Sequence, residues 1–320
     1  MEPVLRIAII GTGAVGRALG SCLHRSGHRV VFVPRPGSPS ESLDTGDLKR
    51  TGIFGEARIP QEEIVVTSSL SGMEEGPFDH ILVCTKTTAN EEVRSMLSPL
   101  WSSLGDHTWL VLCQNGWGHS EFFAETIPSH RIANARIITG FRSPDPHSVE
   151  VTVHADPIRI GSLFAPETRD LGPLCHAIQQ GGIPCSPTDQ IEAELWSKLL
   201  YNCLLNPLGA LTGKNYGELG ANPGTQGIMN TIAHEIFSVL EANSSKTFWT
   251  EADEYLEHFY TRALPPTGLH ESSMLQDIRA HRKTEIDSLS GAVVKLARRH
   301  RLDTPVNQAM LELVHAAESD

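Results

Sequence analysis

Three glycines near the start of the chain constrain its fold more than any other feature. They stand in G-x-G-x-x-G spacing within RIAIIGTGAVGRALGSCLHRSGHRVVFV, after an apolar run and before a helical pattern that Gly27 closes. In that context the first glycine permits a tight turn, the second lets a pyrophosphate approach the backbone, and the third lets the helix pack on the strand. A glycine turn without a ligand is the alternative. The pattern predicts a dinucleotide-binding loop made of Gly11, Thr12, Gly13, Ala14, Val15 and Gly16.

The pattern of hydrophobic residues changes character near Pro187. Before it, strand-like runs at 6–10, 29–33, 80–84 and 108–113, and later in RIANARIITG and RIGSLF, alternate with helical patterns at 15–26 and 90–100. After GGIPCSPT the strand runs stop, and helical patterns cover 192–205, 227–242 and 274–299. This order predicts an α/β Rossmann-type domain over residues 1–186, followed by an all-α domain over residues 187–320.

Composition narrows the class of protein. The 320 residues carry a formal net charge of -12, which argues against general binding to nucleic acid or to an anionic membrane. No apolar run approaches the roughly 20 residues of a membrane span, and the glycine turn follows the N-terminus too soon for a signal peptide. The six cysteines show no CxxC pair and no zinc-like spacing with histidine. We expect a cytoplasmic protein with reduced cysteines and no metal site.

The end of the second strand bears on the choice of cofactor. Sites that prefer NAD place an acidic residue there, which binds the ribose 2′-hydroxyl. This chain reads FVPRPGS, with Arg35 and no acid. A guanidinium suits a 2′-phosphate, so the sequence favours NADPH/NADP+ over the NAD pair. A solvated arginine in a loop is the alternative.

A polar stripe interrupts the leucine-rich segment WSKLLYNCLLNPLGALTG. Lys198, Asn202 and Asn206 are spaced four apart, so they lie along one face of a helix. Buried amines and amides need hydrogen-bonding partners, and a polar ligand would supply them. Snorkelling and local hydrogen bonds are the alternative explanation. Pro207 is expected to end or kink this helix.

The segment HESSMLQDIRAHRKTEIDSLSG predicts the start of a long helix. Ser272 or Ser273 can cap it, and the spacing from Ser273 to Gln276 resembles a capping box. Within the predicted helix, Glu285 falls on the same face as four apolar residues that are expected to pack against the core: Ile278, Leu289, Ala292 and Leu296.

That acidic residue, Glu285, predicts a second functional group. The more specific interpretation is that Glu285 pairs with Lys198. The alternative is that Glu285 forms an ion pair with Arg282 or Lys283.

Two strand ends of the first domain also carry polar groups. Lys86 follows one strand in VCTKTT, and Asn115 follows the next in LCQNGWG. Because ligands of open α/β sheets bind at the carboxyl ends of the strands, we expect both side chains near the cofactor. Each would also fit an ordinary turn.

Taken together, these motifs resemble the ketopantoate reductase family nearly end to end. The resemblance lies in GTGAVG, the arginine of VPR, VCTK, QNGWG, LWSKLLYNCLLNPLGAL, SSMLQDIRAHRKTEID and TPVN. It implies that the helical domain is like the C-terminal domain of 6-phosphogluconate dehydrogenase. It also implies NADPH-dependent reduction of 2-dehydropantoate to (R)-pantoate, a step of pantothenate biosynthesis, in a cleft between the domains.

The resemblance assigns a role to each candidate residue. Lys198 would be the general acid, and Glu285 would hydrogen-bond the substrate, orient the site and touch the cofactor. Asn202, Asn206 and Ser273 would bind the substrate. Lys86 and Asn115 would contact the cofactor near the reacting carbon, Asn115 also the substrate, and Arg35 would hold the 2′-phosphate. The implied partner is a small 2-oxo acid, with neither nucleic acid nor membrane, and a homodimer is left open.

Two departures from the family pattern leave the substrate open. Ser290 stands where an asparagine is expected after the glutamate motif, and RIITGFRSPDPHSVEVTVHAD matches the family poorly. Two alternatives therefore accompany the reduction of 2-dehydropantoate. One is a reductase of another 2-oxo acid, and the other is a non-catalytic protein that senses NADP.

Overall fold

The computed structural model describes residues 3–35, 37, 39–70, 77–105, 107–165 and 169–319. The chain divides into two compact units. The first consists of Met1–Gln114 and His119–Ile191, and the second of Asn115–Gly118 and Glu192–Asp320. The short segment Asn115–Gly118 therefore belongs to the second unit although the sequence on both sides of it belongs to the first.

An eight-stranded sheet forms the centre of the first unit. The strands of this sheet are β1 (Arg6–Ile10), β2 (Arg29–Val33), β5 (Val65–Val66), β6 (His80–Val83), β7 (Trp109–Leu112), β8 (Ile132–Arg136), β11 (Ile158–Gly161) and β12 (Cys185–Pro187). Their order is β12-β11-β8-β7-β6-β1-β2-β5, and every pairing is parallel except that of β11 with β8. The α/β fold expected from the alternating runs is confirmed.

A second sheet of four strands was not predicted. It has the order β4-β3-β10-β9, formed by Leu48–Gly52 (β3), Ala57–Ile59 (β4), Thr139–Asp145 (β9) and Ser148–His154 (β10). Its last two strands come from the segment that matched the family poorly. The alternation in SVEVTVH was the available signal, because Val149 and Val151 are buried while neighbouring residues are more exposed.

Four α-helices accompany these sheets in the described part of the first unit: α1 (Ala14–Arg25), α2 (Asn90–Leu97), α3 (His119–Ala124) and α4 (Gly172–Gln180). Helix α1 closely matches its predicted span. Helix α2 ends at Leu97, three residues before the predicted Leu100 and two before Pro99, which has no N–H to continue the helical hydrogen bonds.

In the described residues of the second unit, all regular secondary structure is helical. Its helices are α5 (Ile191–Thr212, which starts at the last residue of the first unit), α6 (Tyr216–Ala221), α7 (Pro223–Ala242), α8 (Ala252–His258), α9 (Ser273–Arg279), α10 (Ser290–Arg299) and α11 (Pro305–Ala317). Trp196 and six aliphatic or thiol side chains of α5 are buried in one core cluster with residues of α7 and α10. The all-α character expected for this part of the chain is confirmed.

Pro207 does not end its helix. Helix α5 continues five residues past it, to Thr212. Of the two predicted outcomes, the end of the helix is wrong, because Leu204, Leu205 and Leu208 on either side are buried in the core and hold the helical backbone in place. One missing backbone hydrogen bond costs less than exposing that face would. The kink stays a prediction.

The long helix predicted over 274–299 is also wrong. Helix α9 stops at Arg279, His281 adopts a left-handed φ of 49°, and α10 begins only at Ser290. The run AHRKT at 280–284 offers no large apolar side chain to bury against a neighbour, so a helix there would gain little from packing. Consequently Glu285 and Leu289 do not share a helical seam.

The cap of α9 differs from the predicted capping box. Ser272 is the N-cap, and its Oγ accepts a hydrogen bond from the Leu275 N–H at 3.0 Å. Ser273 is the first helical residue, so the box from Ser273 to Gln276 is wrong. The hydroxyl of Ser273 is thereby left out of the cap.

The described residues contain no helix long and apolar enough to cross a membrane. Over the same residues, no group of three or more His, Cys, Asp or Glu side chains is arranged to hold a metal ion. The six cysteines are free thiols, and all but Cys84 are buried.

Buried His80 makes the stability of the first unit depend on pH. It begins β6 between two other strands, and burial lowers its pKa from 6.5 to about 4. The unfolded chain therefore binds more protons between these pH values, and the free energy of unfolding falls as pH falls through that window. We expect a loss of about 3 kcal/mol between pH 7 and pH 4 from this residue.

Chemical denaturation at several pH values checks this expectation. His80→Gln should flatten the slope of unfolding free energy against pH, whereas His176→Gln, at an exposed position on α4, should leave it unchanged. An equal slope in His80→Gln and the wild type would show that another group causes the dependence.

Candidate active site

The glycine loop of the first unit has the geometry of a phosphate-binding turn. Gly11 has φ of +95°, and a Cβ there would lie 2.6 Å from the Thr85 nitrogen. A Cβ on Gly16 would lie 2.1 Å from the Gly11 carbonyl oxygen, so only glycine lets α1 approach β1. A Cβ on Gly13 would meet no atom within 4 Å. That open space lies at the N-cap of α1, where the backbone N–H groups of a helix favour an anion.

The sheet order places two basic residues on either side of this loop. Arg35 follows β2 and Lys86 follows β6, while β1, which leads into the loop, lies between those strands. Both basic side chains are exposed, whereas Thr12 in the loop is buried. Ala14 and Val15 begin α1 and are partly buried against the core of the first unit. The predicted cofactor residues of the first unit thus share one edge of the sheet.

The segment after β7 reaches into the second unit and is fixed there. Gly116 has φ of +97°, and a Cβ on it would lie 2.3 Å from the Ser288 carbonyl oxygen. The Trp117 N–H donates to that same oxygen at 3.0 Å. Its indole ring packs on Trp196 of α5, with 4.4 Å between the ring centroids. These contacts hold the preceding residue, Asn115, in the helical unit.

Asn115 connects the two residues that sequence reasoning singled out as an acid–base pair. Lys198 Nζ donates to Asn115 Oδ1 at 2.6 Å, and Asn115 Nδ2 donates to Glu285 Oε2 at 3.1 Å. All three residues are half-buried. Because the amide accepts from an amine and donates to a carboxylate, its orientation is fixed and it links the two charged groups.

A small pocket in the second unit opens beside this chain of hydrogen bonds. Its empty volume is about 230 Å³, part of it open to solvent. The lining residues are Asn115, Asn206, Ser273, Met274, Asp277, Glu285 and Leu289.

The pocket is lined by hydrogen-bonding groups whose directions are partly fixed. Asn206 is buried, and its Oδ1 accepts from the Tyr216 hydroxyl at 2.7 Å, which leaves Nδ2 as its donor group. Ser272 Oγ contacts the Asn206 carbonyl oxygen at 3.4 Å and so holds the start of α9 against α5. Ser273, an exposed residue, thereby lines the same pocket as Asn206.

Asn202 and Ser290 do not line this pocket. Asn202 is half-buried on α5 between Lys198 and Asn206, and its role in binding substrate stays a prediction. Ser290 is fully buried at the first position of α10.

Sequence reasoning missed three lining residues: Met274, Asp277 and Leu289. Met274 and Asp277 follow Ser273 by one and four positions on α9. A helix through Ser273 could therefore have predicted that these two residues lie near it.

Comparison with known proteins is consistent with this geometry. The chain matches the family model "Ketopantoate reductase PanE/ApbA" over residues 7–163 and "Ketopantoate reductase PanE/ApbA C terminal" over residues 190–318. The 2-dehydropantoate 2-reductase of Aquifex aeolicus is 34% identical over 318 residues, which cover 98% of this chain and 97% of that protein. The chain belongs to the ketopantoate reductase family. A Salmonella typhimurium protein of the same name is 29% identical over 99% of this chain and 96% of its own length.

Solved structures are also similar in fold to this member of the ketopantoate reductase family, over nearly its full length. The 2-dehydropantoate 2-reductase of Geobacter metallireducens has a TM-score of 0.85 at 26% identity, covering 98% of this chain and all of that one. A D-mandelate dehydrogenase bound to NADH and anilino(oxo)acetate has a TM-score of 0.84 at 25% identity, with 98% of each chain covered. Family and structural relatives together indicate an oxidoreductase with a nicotinamide cofactor.

The glycine loop gives a test of where that cofactor binds. Gly13→Ala should leave the melting temperature near that of the wild type but weaken NADPH binding at least about 10-fold, because the added methyl group enters the space open to a pyrophosphate. Gly16→Ala should instead lower the melting temperature, because its Cβ collides with the Gly11 carbonyl oxygen. Thermal melts and fluorescence titration with NADPH measure the two effects.

Gly172→Ala is the matched control, since a Cβ at this position of α4 meets nothing within 4 Å. It should change neither quantity. Unchanged NADPH binding in Gly13→Ala would place the pyrophosphate elsewhere.

Proposed function

We propose that this protein reduces 2-dehydropantoate to (R)-pantoate with NADPH, as a step of pantothenate biosynthesis. The observation that carries the proposal is the hydrogen-bonded chain Lys198–Asn115–Glu285 beside a pocket lined by hydrogen-bonding side chains. Six free cysteines favour a reducing compartment, and we propose the cytoplasm.

Lys198 is the proposed general acid. Bound NADPH would supply a hydride to the 2-oxo carbon, which leaves negative charge on the carbonyl oxygen. An ammonium group beside that oxygen both stabilises the charge and donates the proton that completes the alcohol. Asn115 Oδ1 holds the ammonium by a 2.6 Å hydrogen bond, so its direction is set before substrate binds.

The remaining pocket residues bind and orient the substrate. Asn206 Nδ2 and the Ser273 hydroxyl are donors suited to the substrate carboxylate. Tyr216 fixes the Asn206 amide, and the cap at Ser272 fixes the start of α9. Glu285 holds the Asn115 amide and orients the site. Asn202, the middle residue of the polar stripe, would add a further contact to the substrate.

The finer choice of NADPH rests on the end of β2. Pro34 and Arg35 follow this strand with no acidic residue in the turn, and the guanidinium is exposed and can reach a phosphate. Residues 11–16 would hold the pyrophosphate, while Lys86, Asn115 and Glu285 would contact the cofactor toward its reacting end. A similar solved structure, a D-mandelate dehydrogenase, contains NADH, so the preference of this protein for NADPH over NADH needs a direct test.

A reductase of another 2-oxo acid is the second candidate, supported by the likeness to a D-mandelate dehydrogenase bound to anilino(oxo)acetate. A non-catalytic NADP sensor has less support, because it would have no use for a lysine, an amide and a carboxylate linked beside a pocket. Turnover of NADPH with 2-dehydropantoate, compared with other 2-oxo acids, separates the three.

Loss of the proposed general acid should abolish most turnover. Lys198→Ala is expected to lower kcat with 2-dehydropantoate by about 10²–10⁴-fold while NADPH still binds. Lys295→Ala, an exposed lysine on α10, should keep the wild-type rate. Steady-state oxidation of NADPH measures the rates. Full activity in Lys198→Ala would exclude its acid role, and a wild type that binds NADPH but reduces no 2-oxo acid would support the sensor.

Loss of the proposed phosphate-binding arginine should act on one cofactor only. Arg35→Ala is expected to raise the Kd for NADPH by about 10-fold or more and leave the Kd for NADH nearly unchanged, because only NADPH carries the 2′-phosphate. Arg29→Ala, at the opposite end of β2, is the control. Titration with both cofactors decides, and equal weakening of both would contradict a role in 2′-phosphate binding.

A further inference from the structure

We propose that the first unit carries a second ligand site, which binds a phosphate monoester attached to a planar ring. The site is a pocket at the amino ends of β7 and β8, with an empty volume of about 950 Å³ that is partly open to solvent. Two chain segments line it, one before each strand. The lining residues include Ser98, Trp101, Ser102, Thr126, His130 and Arg131.

This pocket lies at the edge of the sheet opposite to the predicted cofactor residues. The strands β2, β1, β6, β7 and β8 all run parallel, so their amino ends meet at one edge. Arg35, Lys86 and the glycine loop follow carboxyl ends at the other edge, where ligands of open α/β sheets usually bind. A ligand in the pocket is therefore separate from a cofactor held by the glycine loop.

Arg131 places a cation beside the pocket. It ends the short 3₁₀ helix Ser129–Arg131, and its guanidinium carbon lies 5.8 Å from the centroid of the Trp109 ring, which supports the group by a cation–π contact. The residue is half-buried, and its Nε is buried without a hydrogen-bond partner. Among the described residues, the guanidinium forms no hydrogen bond and no ion pair. A partly desolvated cation with unused donors favours an anionic ligand.

The surroundings of Arg131 do not neutralise it. The described residues that line the pocket include neither aspartate nor glutamate. Glu125, which precedes Thr126, is paired with Arg94. Since the whole chain has a net charge of -12, this local positive charge is not a consequence of overall composition.

The other lining residues indicate the two parts of the ligand. Ser102, Thr126 and His130 are exposed and can each donate a hydrogen bond. Together with the guanidinium, they suit the three terminal oxygens of a phosphate monoester better than the two oxygens of a carboxylate. Trp101 is half-buried and lines the same pocket, so its indole offers a surface on which a planar ring can stack.

Calorimetric titration with phenyl phosphate tests the proposal. The titration is carried out with and without NADPH, which fills the cofactor loop. In both cases we expect one site per chain with a Kd of about 1 mM or lower. Inorganic phosphate lacks the ring and should bind about 3- to 10-fold more weakly. Phenol lacks the charge and should show no saturable binding.

Two variants with matched controls locate the site. Arg131→Gln removes the cation and should raise the Kd for phenyl phosphate at least about 10-fold, whereas Arg29→Gln, an exposed position at the same edge of the sheet, should leave it unchanged. Ser102→Glu adds a negative charge at an exposed lining position and should also weaken binding. Ser103→Glu, exposed but outside the lining, should have a smaller effect. If Arg131→Gln does not fold, this second pair decides.

Several outcomes would overturn the proposal. The site is excluded by a lack of saturable binding up to about 10 mM phenyl phosphate, by loss of binding when NADPH is added, or by an unchanged Kd in both Arg131→Gln and Ser102→Glu. Equal weakening in Arg131→Gln and Arg29→Gln would exclude a specific role of Arg131. A Kd for inorganic phosphate equal to that for phenyl phosphate would contradict stacking on Trp101, and equally tight binding of benzoate would contradict the choice of phosphate.

Discussion

The hydrogen bonds of Asn115 are the interaction on which the candidate site depends. One amide accepts from Lys198 and donates to Glu285, so a single side chain sets the positions of a cation and an anion that lie 87 residues apart in sequence. The amide is placed by the segment that follows β7. The close approach of Gly116 to Ser288 and the packing of Trp117 on Trp196 hold it within the helical unit. This member of the ketopantoate reductase family thus links a lysine and a glutamate of its helical unit through an amide on the chain that follows a sheet strand.

The helical unit supplies a rigid support for that arrangement. Most large apolar residues of α5 are buried, so Lys198 and Asn206 lie on a helix that is packed into the core of its unit. Ser272 caps α9 and contacts the backbone of α5, which places Ser273 and Asp277 next to Asn206. The TPVN motif has a similar supporting role, because both oxygens of Glu235 accept hydrogen bonds at the start of α11, including one from the Asn307 side chain at 2.7 Å.

Local patterns predicted those parts of the fold that local chemistry decides. The glycine spacing indicated the turn between β1 and α1, and alternating apolar runs indicated the main strands. Predictions that needed tertiary information were wrong. Pro207 does not end α5, because the buried leucines around it hold the helix together. The segment between Arg279 and Ser290 is not helical, since the run 280–284 has no large apolar side chain to bury. The second sheet was missed because its short strands pair with partners far away in sequence.

The sequence by itself determined the kinds of groups available: a glycine turn for a pyrophosphate, an arginine after the second strand, and a lysine and amides at helical spacing. The periods of helices and strands follow from backbone geometry, so such patterns can be recognised in the amino-acid sequence alone. Tertiary structure alone decided that Asn115 joins Lys198 to Glu285, that Asn202 lies outside the pocket lining and that Asp277 lies within it. These relations depend on contacts between segments far apart in the chain, where packing and hydrogen-bond direction, and not local periodicity, select the partner.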